Sequence, residues 1–450
     1  MMKDILIKGG RVVHAHEIDQ ADILIRGEQI FRLGKELAPS PDHEVIDAHD
    51  KLVFPGVIDP HTHMGIPIKS GQSADDFVSG SRSALHGGVT SILDFTVLEK
   101  DQTLRESLEF RMALASQATC DVGLHINVSR FEKPLLAEIP GLVAKGFNSF
   151  KTFTTYEEAG MMLSYDQIEE LAGVIARSDG ILMVHSEDND IIQRASAPHI
   201  EHHEIHTRFH GLSRPAQAEA AAISKLGEIS QRTGCTIYIV HLNTAEGLAM
   251  AANFPRLKLE TCPHYLFLND SYYDRPDGRM YVASPPLRKP TDQKALLDGI
   301  INGQIHTLGS DHCPFCLADK DGDLLFQDIP NGMGGVETLF PTLLAHFIQK
   351  QLPLDLLSKI TSAQPAEIFG IADRKGSLEP GKDADLLIVD TQQDPLSWEK
   401  RLHTTLDWNA YSGQAALFPE CVFRRGEQVV SNYKLLPAAP GKILRSRLAR

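Results

Sequence analysis

From residue 52 to residue 309 the chain alternates between two hydrophobic periods, that of a strand and that of an amphipathic helix. Apolar, β-branched runs occupy 52–59, 89–95, 122–128, 149–153, 181–185, 236–241, 257–261 and 307–309. Helix-like stretches such as 104–118, 167–177, 216–232 and 292–302 lie between most of them. About eight strands in this alternation predict an α/β fold, a (β/α)8 barrel in preference to an open sheet. The flanks differ in style. Residues 22–26 and 29–33 read as a hairpin about Gly27-Glu28, 384–389 as a strand, and 421–425 with 427–430 as a second hairpin about Gly426. Two β-rich ends around a long middle predict one discontinuous domain, 1–52 with 378–450, beside a barrel at 53–377.

Composition narrows the function classes. At 450 residues, 42% hydrophobic and 23% charged, the chain has the profile of a soluble globular enzyme with a large core. A formal charge of −15 argues against a nucleic-acid partner, which needs clustered positive charge; the basic stretch 442–450 reads as a solvated tail. No apolar run reaches the roughly 18 to 20 residues that span a bilayer. The first ten residues lack a signal-peptide pattern, so a cytoplasmic location without membrane contact is expected. Six cysteines in so long a chain read as reduced thiols.

Barrels of this kind place their chemistry at the C-terminal ends of the strands. His61-Thr62-His63 closes the first run, and Lys151, His185, His241 and Asp311 are expected at the ends of later ones. Side chains alternate across a strand, so His61 and His63 share a face and can bind one metal together. Four imidazoles and a carboxylate suit zinc or a similar divalent ion; manganese, cobalt and nickel also fit. One histidine at a strand end is ordinarily a satisfied core or loop residue. So many donors on one rim point instead to a two-metal hydrolytic site.

Lys151 sits between Phe150 and Phe153. Burial there favours the neutral amine, which can react with carbon dioxide to give a carbamate, an anion with two oxygens able to bridge two metals. A lysine paired with a carboxylate is the alternative, and composition does not separate the two. Other loud signals are weaker. Cys313-Pro-Phe-Cys316 has no second pair and reads as packing beside the Asp311 loop. The five histidines between His199 and His210 miss metalloprotease spacing and read as a solvated or interface segment. Gly332, Gly334 and Gly335 lack the surroundings of a dinucleotide fingerprint.

Taken in order, several strings form a specific set: Pro55-Gly-Val-Ile-Asp-Pro-His-Thr-His63, Ser149-Phe-Lys151 with Tyr156, Val184-His185-Ser-Glu-Asp188 and Ile239-Val-His241-Leu. Glu260-Thr-Cys-Pro-His-Tyr265, Ser284-Pro-Pro-Leu-Arg288, Gly309-Ser-Asp-His-Cys-Pro-Phe315 and Ile329-Pro-Asn-Gly332 continue it. Over essentially its whole length the chain resembles the hydantoinase/dihydropyrimidinase branch of the amidohydrolase superfamily. Residues 376–386 look like that family's return into a small β-sandwich.

The resemblance implies hydrolysis of the cyclic amide bond of hydantoins or dihydropyrimidines, giving N-carbamoyl amino acids. It implies two divalent metals, one held by His61, His63 and Asp311, the other by His185 and His241, with carbamylated Lys151 (N6-carboxylysine) as the bridge. A hydroxide between them is the implied nucleophile, with Asp311 as proton shuttle and Tyr156 as oxyanion donor. Ser284 and Asn331 are implied to orient a small cyclic ureide, in a homodimer or homotetramer. Dihydroorotase-like relatives typically carry an arginine where this chain has Gly65, which counts against them. Allantoinase-like relatives share the Glu260 segment but typically lack a tyrosine at position 156, which leaves allantoinase as the runner-up. A non-catalytic scaffold of the same family is disfavoured because all six ligand candidates are present.

Overall fold

The computed structural model describes residues 3–68, 71–322 and 324–447. Eight parallel strands follow one another in chain order around a single sheet: Val57–Thr62, Val89–Phe95, Asp121–Asn127, Ser149–Phe153, Ile181–His185, Thr236–Ile239, Leu257–Thr261 and Thr307–Leu308. A parallel bridge between Thr62 and His312 brings the last strand's exit back to the first. This is the expected (β/α)8 barrel. Its strands are buried on both faces, which is why they read as continuous apolar runs rather than as alternating ones.

The second unit is a nine-stranded mixed sheet that draws on both ends of the chain. Leu52–Pro55 is the seam: it pairs parallel with Asp4–Val13 and antiparallel with Leu386–Val389. The two expected hairpins are present as Ile18–Arg26 with Gln29–Gly34 and Cys421–Arg424 with Glu427–Ser431. Gly426 turns the second with φ +73, and a Cβ there would sit 2.0 Å from the Gly27 carbonyl oxygen of the first. Residues from both termini, including Ile7, Ile23, Ile30, Leu386 and Phe423, form this sheet's own apolar core.

Three differences from the sequence reading have local causes. The run at 52–59 is two strands, broken at Gly56, where any side chain would collide with Thr90 and Asp385. The helix expected from 167 begins at Tyr165, because Ser164 caps it and Gln167 reaches back to the Ser164 N–H in a capping box. The helix expected from 292 begins at Pro290, whose fixed φ and missing N–H suit a first turn.

Candidate active site

The rim is built from strand ends whose backbone bends sharply. His185 closes its strand, but His241 and Asp311 lie beyond theirs, at φ 41 and φ 49. The strands stop at Ile239 and Leu308, short of the 241 and 309 that the apolar runs reach, and the chain turns left-handed beyond them, at His241 and Asp311. Lys151 also departs from expectation. It is the middle residue of Ser149–Phe153 and points into the barrel from below the rim.

His61, His63 and Asp311 converge. The His61 and His63 Nε2 atoms are 3.2 Å apart, and each lies 3.2 Å from Asp311 Oδ1. Ligand atoms about 2.0 Å from a tetrahedral zinc are separated by roughly 3.3 Å, so the triangle has the dimensions of a metal face. Buried carboxylates fix which nitrogens point inward. Glu260 Oε1 lies 2.7 Å from His61 Nδ1, leaving Nε2 for the site. Glu187 Oε2 lies 2.7 Å from His185 Nε2, leaving Nδ1, and Arg214 donates to the same carboxylate at 2.6 Å. The His241 ring stands edge-on to His185 at 4.6 Å, and its Nδ1 is buried without a hydrogen-bond partner. Such orphaned nitrogens are rare in native interiors and fit a ligand to a cation.

Charge and burial pull against each other here. Burial lowers the Lys151 pKa to about 8, and its Nζ faces the rings of Phe95 and Phe153 at 5.2 Å each. Among the described residues no carboxylate lies within ion-pair distance of Lys151, although Asp311 and Glu260 still draw its pKa upward. Burial also takes His185 down to about 4, against the pull of Glu187, and His241 well below its ordinary value. Both are thus neutral donors at pH 7. Burial opposes ionisation of Asp311, but the neighbouring His61, His63 and His241 hold its carboxyl well below the usual range.

The side facing solvent carries the remaining candidates. Tyr156, at φ 69, packs its ring 5.0 Å from His185, and burial raises its pKa, so it remains a hydroxyl donor. With Asn331 and Arg214 it lines a cavity of about 400 Å³. Among the described residues Asn331 Oδ1 is buried without a hydrogen-bond partner, and buried Ser284 Oγ meets only the Tyr156 hydroxyl. The histidine-rich segment is not simply solvated: His210 is buried with Nε2 2.7 Å from the Ala283 carbonyl, and His199 packs on Phe209. Cys313 and Cys316 are free thiols, as are the other four cysteines. The rim loop 65–75 includes residues 69 and 70, which lie outside the described residues.

Sequence reasoning passed over three residues. Glu260 and Glu187 hold the imidazoles of His61 and His185, and Asp59 accepts from the main chain of both His61 (3.1 Å) and Ser310 (3.0 Å), joining the first strand to the Asp311 loop. Glu187 was in principle visible, two residues from His185. Glu260 was not, being 199 positions from the ring it holds.

Comparison with known proteins gives a consistent picture. A family model described as "Amidohydrolase family" matches residues 52–427. A D-phenylhydantoinase of Escherichia coli is 35% identical over 421 residues, covering 91% of this chain and 90% of the relative. Among solved structures, a dihydropyrimidinase from Brevibacillus agri superposes with a TM-score of 0.95 at 31% identity, covering 99% of this chain and 100% of the other. A D-hydantoinase (dihydropyrimidinase) from Thermus sp. gives 0.93 at 30% identity, covering 98% and 99%.

Proposed function

The chain belongs to the amidohydrolase family, in its hydantoinase/dihydropyrimidinase branch, and on that premise we propose that it opens hydantoin or dihydropyrimidine rings to N-carbamoyl amino acids. The observation that carries the proposal is the 3.2 Å triangle of His61, His63 and Asp311, backed by two buried carboxylates that set the imidazole orientations.

His61, His63 and Asp311 would hold one divalent cation and His185 with His241 a second, with Lys151 as a carbamate between them. Lys151 suits that role because it is buried between aromatic rings with an amine that deprotonates near neutrality. Two divalent cations held there would lower the pKa of water and polarise the scissile carbonyl. The rest falls to the chain. Asp311 takes the proton released on attack and delivers it to the leaving amide nitrogen, base first and acid afterwards. Tyr156 donates its hydroxyl to the oxygen on which charge develops. Ser284 and Asn331 supply the polar atoms that orient the ring. Zinc suits the donor set best, with manganese, cobalt or nickel as substitutes. The family likeness supports a homodimer or homotetramer in the cytoplasm. Among the described residues no helix is long and apolar enough to cross a membrane.

The test is turnover of dihydrouracil, hydantoin, 5-phenylhydantoin, allantoin and dihydroorotate by protein loaded with metal and bicarbonate. Ring opening of the first three is expected. Preference for allantoin or dihydroorotate would overturn the substrate class, and inactivity with two metals bound would overturn the reaction.

A further inference from the structure

A lysine outside the metal site ties together the two segments that carry Ser284 and Asn331. Lys320 ends the short helix Leu317–Lys320, and its side chain is completely buried. Its Nζ donates to three main-chain carbonyls, of Gly332 at 2.6 Å, Val282 at 2.9 Å and Met280 at 3.0 Å. Burial lowers the Lys320 pKa to about 7; the ammonium form, with its three N–H donors, is the one that completes the set. The rings of Phe315 and Trp408 flank it at 5.7 and 5.8 Å. The two segments also touch directly, the Gly332 N–H donating to the Val282 carbonyl at 3.0 Å. Gly332 is required there: its φ is +148, and a Cβ would lie 2.4 Å from the Cys313 carbonyl oxygen.

Burying an ammonium is costly, and here the groups repaying that cost are carbonyls of irregular backbone rather than a carboxylate. Residues 282–289 have no helix or strand and are held by side chains from elsewhere, His210 on the Ala283 carbonyl at 2.7 Å and Tyr265 Oη on the Pro285 carbonyl at 2.6 Å among them. Of these tethers Lys320 is one that also grips the Asn331 segment. Val282 is two residues from Ser284, and Gly332 is next to Asn331. Among the described residues Asn331 Oδ1 has no hydrogen-bond partner, and Ser284 Oγ meets only the Tyr156 hydroxyl. Their spacing therefore depends on backbone that Lys320 helps to hold, together with the His210 and Tyr265 tethers on the Ser284 side.

We propose that Lys320 is a positioning residue: by gathering the Met280, Val282 and Gly332 carbonyls into one cradle it sets the distance between Ser284 and Asn331, and with it the grip on the amide ring. The inference rests on the ring-orienting roles assigned above to those two residues. It concerns ground-state recognition, so its signature is in KM rather than kcat.

The test compares Lys320→Gln, which keeps two donors, with Lys320→Met, which keeps the length and loses all three. With metal content equal to wild type, KM should rise about threefold in the first and about tenfold in the second, with kcat within about threefold. Adding Ser284→Ala to Lys320→Met should cost little more, because one interaction is lost twice. Amide hydrogen exchange should quicken together in 280–284 and 329–333. An unchanged KM, additive double-variant effects, or unaltered exchange in either segment would overturn the cradle. So would failure of both variants to fold, which would make Lys320 a folding residue only. A wild type that opens none of the rings would instead refute the functional reading, while the exchange data would still judge the cradle.

Discussion

Tyr156, His241 and Asp311 share a backbone conformation that side chains disfavour, at φ 69, 41 and 49. Each costs of order 1–3 kcal/mol, and the surrounding barrel holds them there. The return is aim: a strand running on regularly would carry these side chains past the site. Tyr156→Phe should lower kcat about 10²–10³-fold, the range for one lost oxyanion donor, with little change in KM. Steady-state kinetics decide this, since an effect confined to KM would make Tyr156 a binding residue. Lys151→Ala should abolish turnover, with partial recovery in bicarbonate or a short carboxylic acid that fills the bridge. Full activity without rescue would remove the carbamate from the mechanism. At this scale the sequence was informative wherever the chemistry demands a residue type, as at His61, His63 and Asp311. It was silent on the φ values, because no residue type announces left-handed backbone except glycine and, weakly, asparagine and aspartate.

Between elements, the barrel works by having one strand support a side chain of another. Glu260, on Leu257–Thr261, reaches His61 at the far end of the chain's order and also accepts from Tyr238 Oη at 2.8 Å and the His241 N–H at 3.0 Å. Gly309 makes room: a Cβ there would lie 2.9 Å from both Glu260 Oε2 and His61 Cβ. Glu260→Gln keeps the shape but weakens the hold on His61. It should cost about 10–100-fold in metal affinity, read by titrating metal-stripped protein. Unaltered affinity would show that packing alone orients His61. Strand and helix existence was legible from period, since barrel strands are short and apolar throughout. Element ends were less so. Ser164 and Gln167 form a capping box that periodicity alone cannot register, and Lys151 lies inside its strand because the register that aims it is set by neighbouring strands.

At the scale of the molecule, a buried ionic knot joins the barrel's lower end to the sheet. Lys375 Nζ lies 2.6 Å from Asp121 Oδ2, at the start of a barrel strand, 2.6 Å from Asp385 Oδ2 and 3.0 Å from Asp383 Oδ2, just before a sheet strand. Arg425 reaches Asp121 at 3.1 Å and Glu28 at 3.0 Å. Lys375→Met leaves buried Asp385 without its cation, while Asp121 keeps Arg425 and Asp383 keeps Arg374, and should destabilise by about 3–5 kcal/mol in urea or thermal unfolding. The pH dependence has a definite sign. Burial opposes the charge on Lys375, but the three carboxylates lift its pKa above the ordinary 10.5. Its contribution is complete below pH 10.5 and drains away as pH rises through the higher folded value. Wild-type Tm should therefore fall more steeply above pH 10.5 than that of Lys375→Met; parallel curves would refute the assignment. The two-ended sheet was legible from the β-rich flanks, but the knot was not, because its members come from both units and share no local pattern.

The pairing of Leu52–Pro55 with Leu386–Val389 also orders events in time. On the ribosome the opening strands of the sheet emerge early, yet their neighbour cannot join until the barrel's entire sequence has been synthesised. Contacts this distant along the chain form slowly. A product stalled or cut short before residue 386 would carry an unfinished sheet with a bare apolar edge, open to pairing with another unfinished copy. Quality control for this protein is thus written into its last few strands.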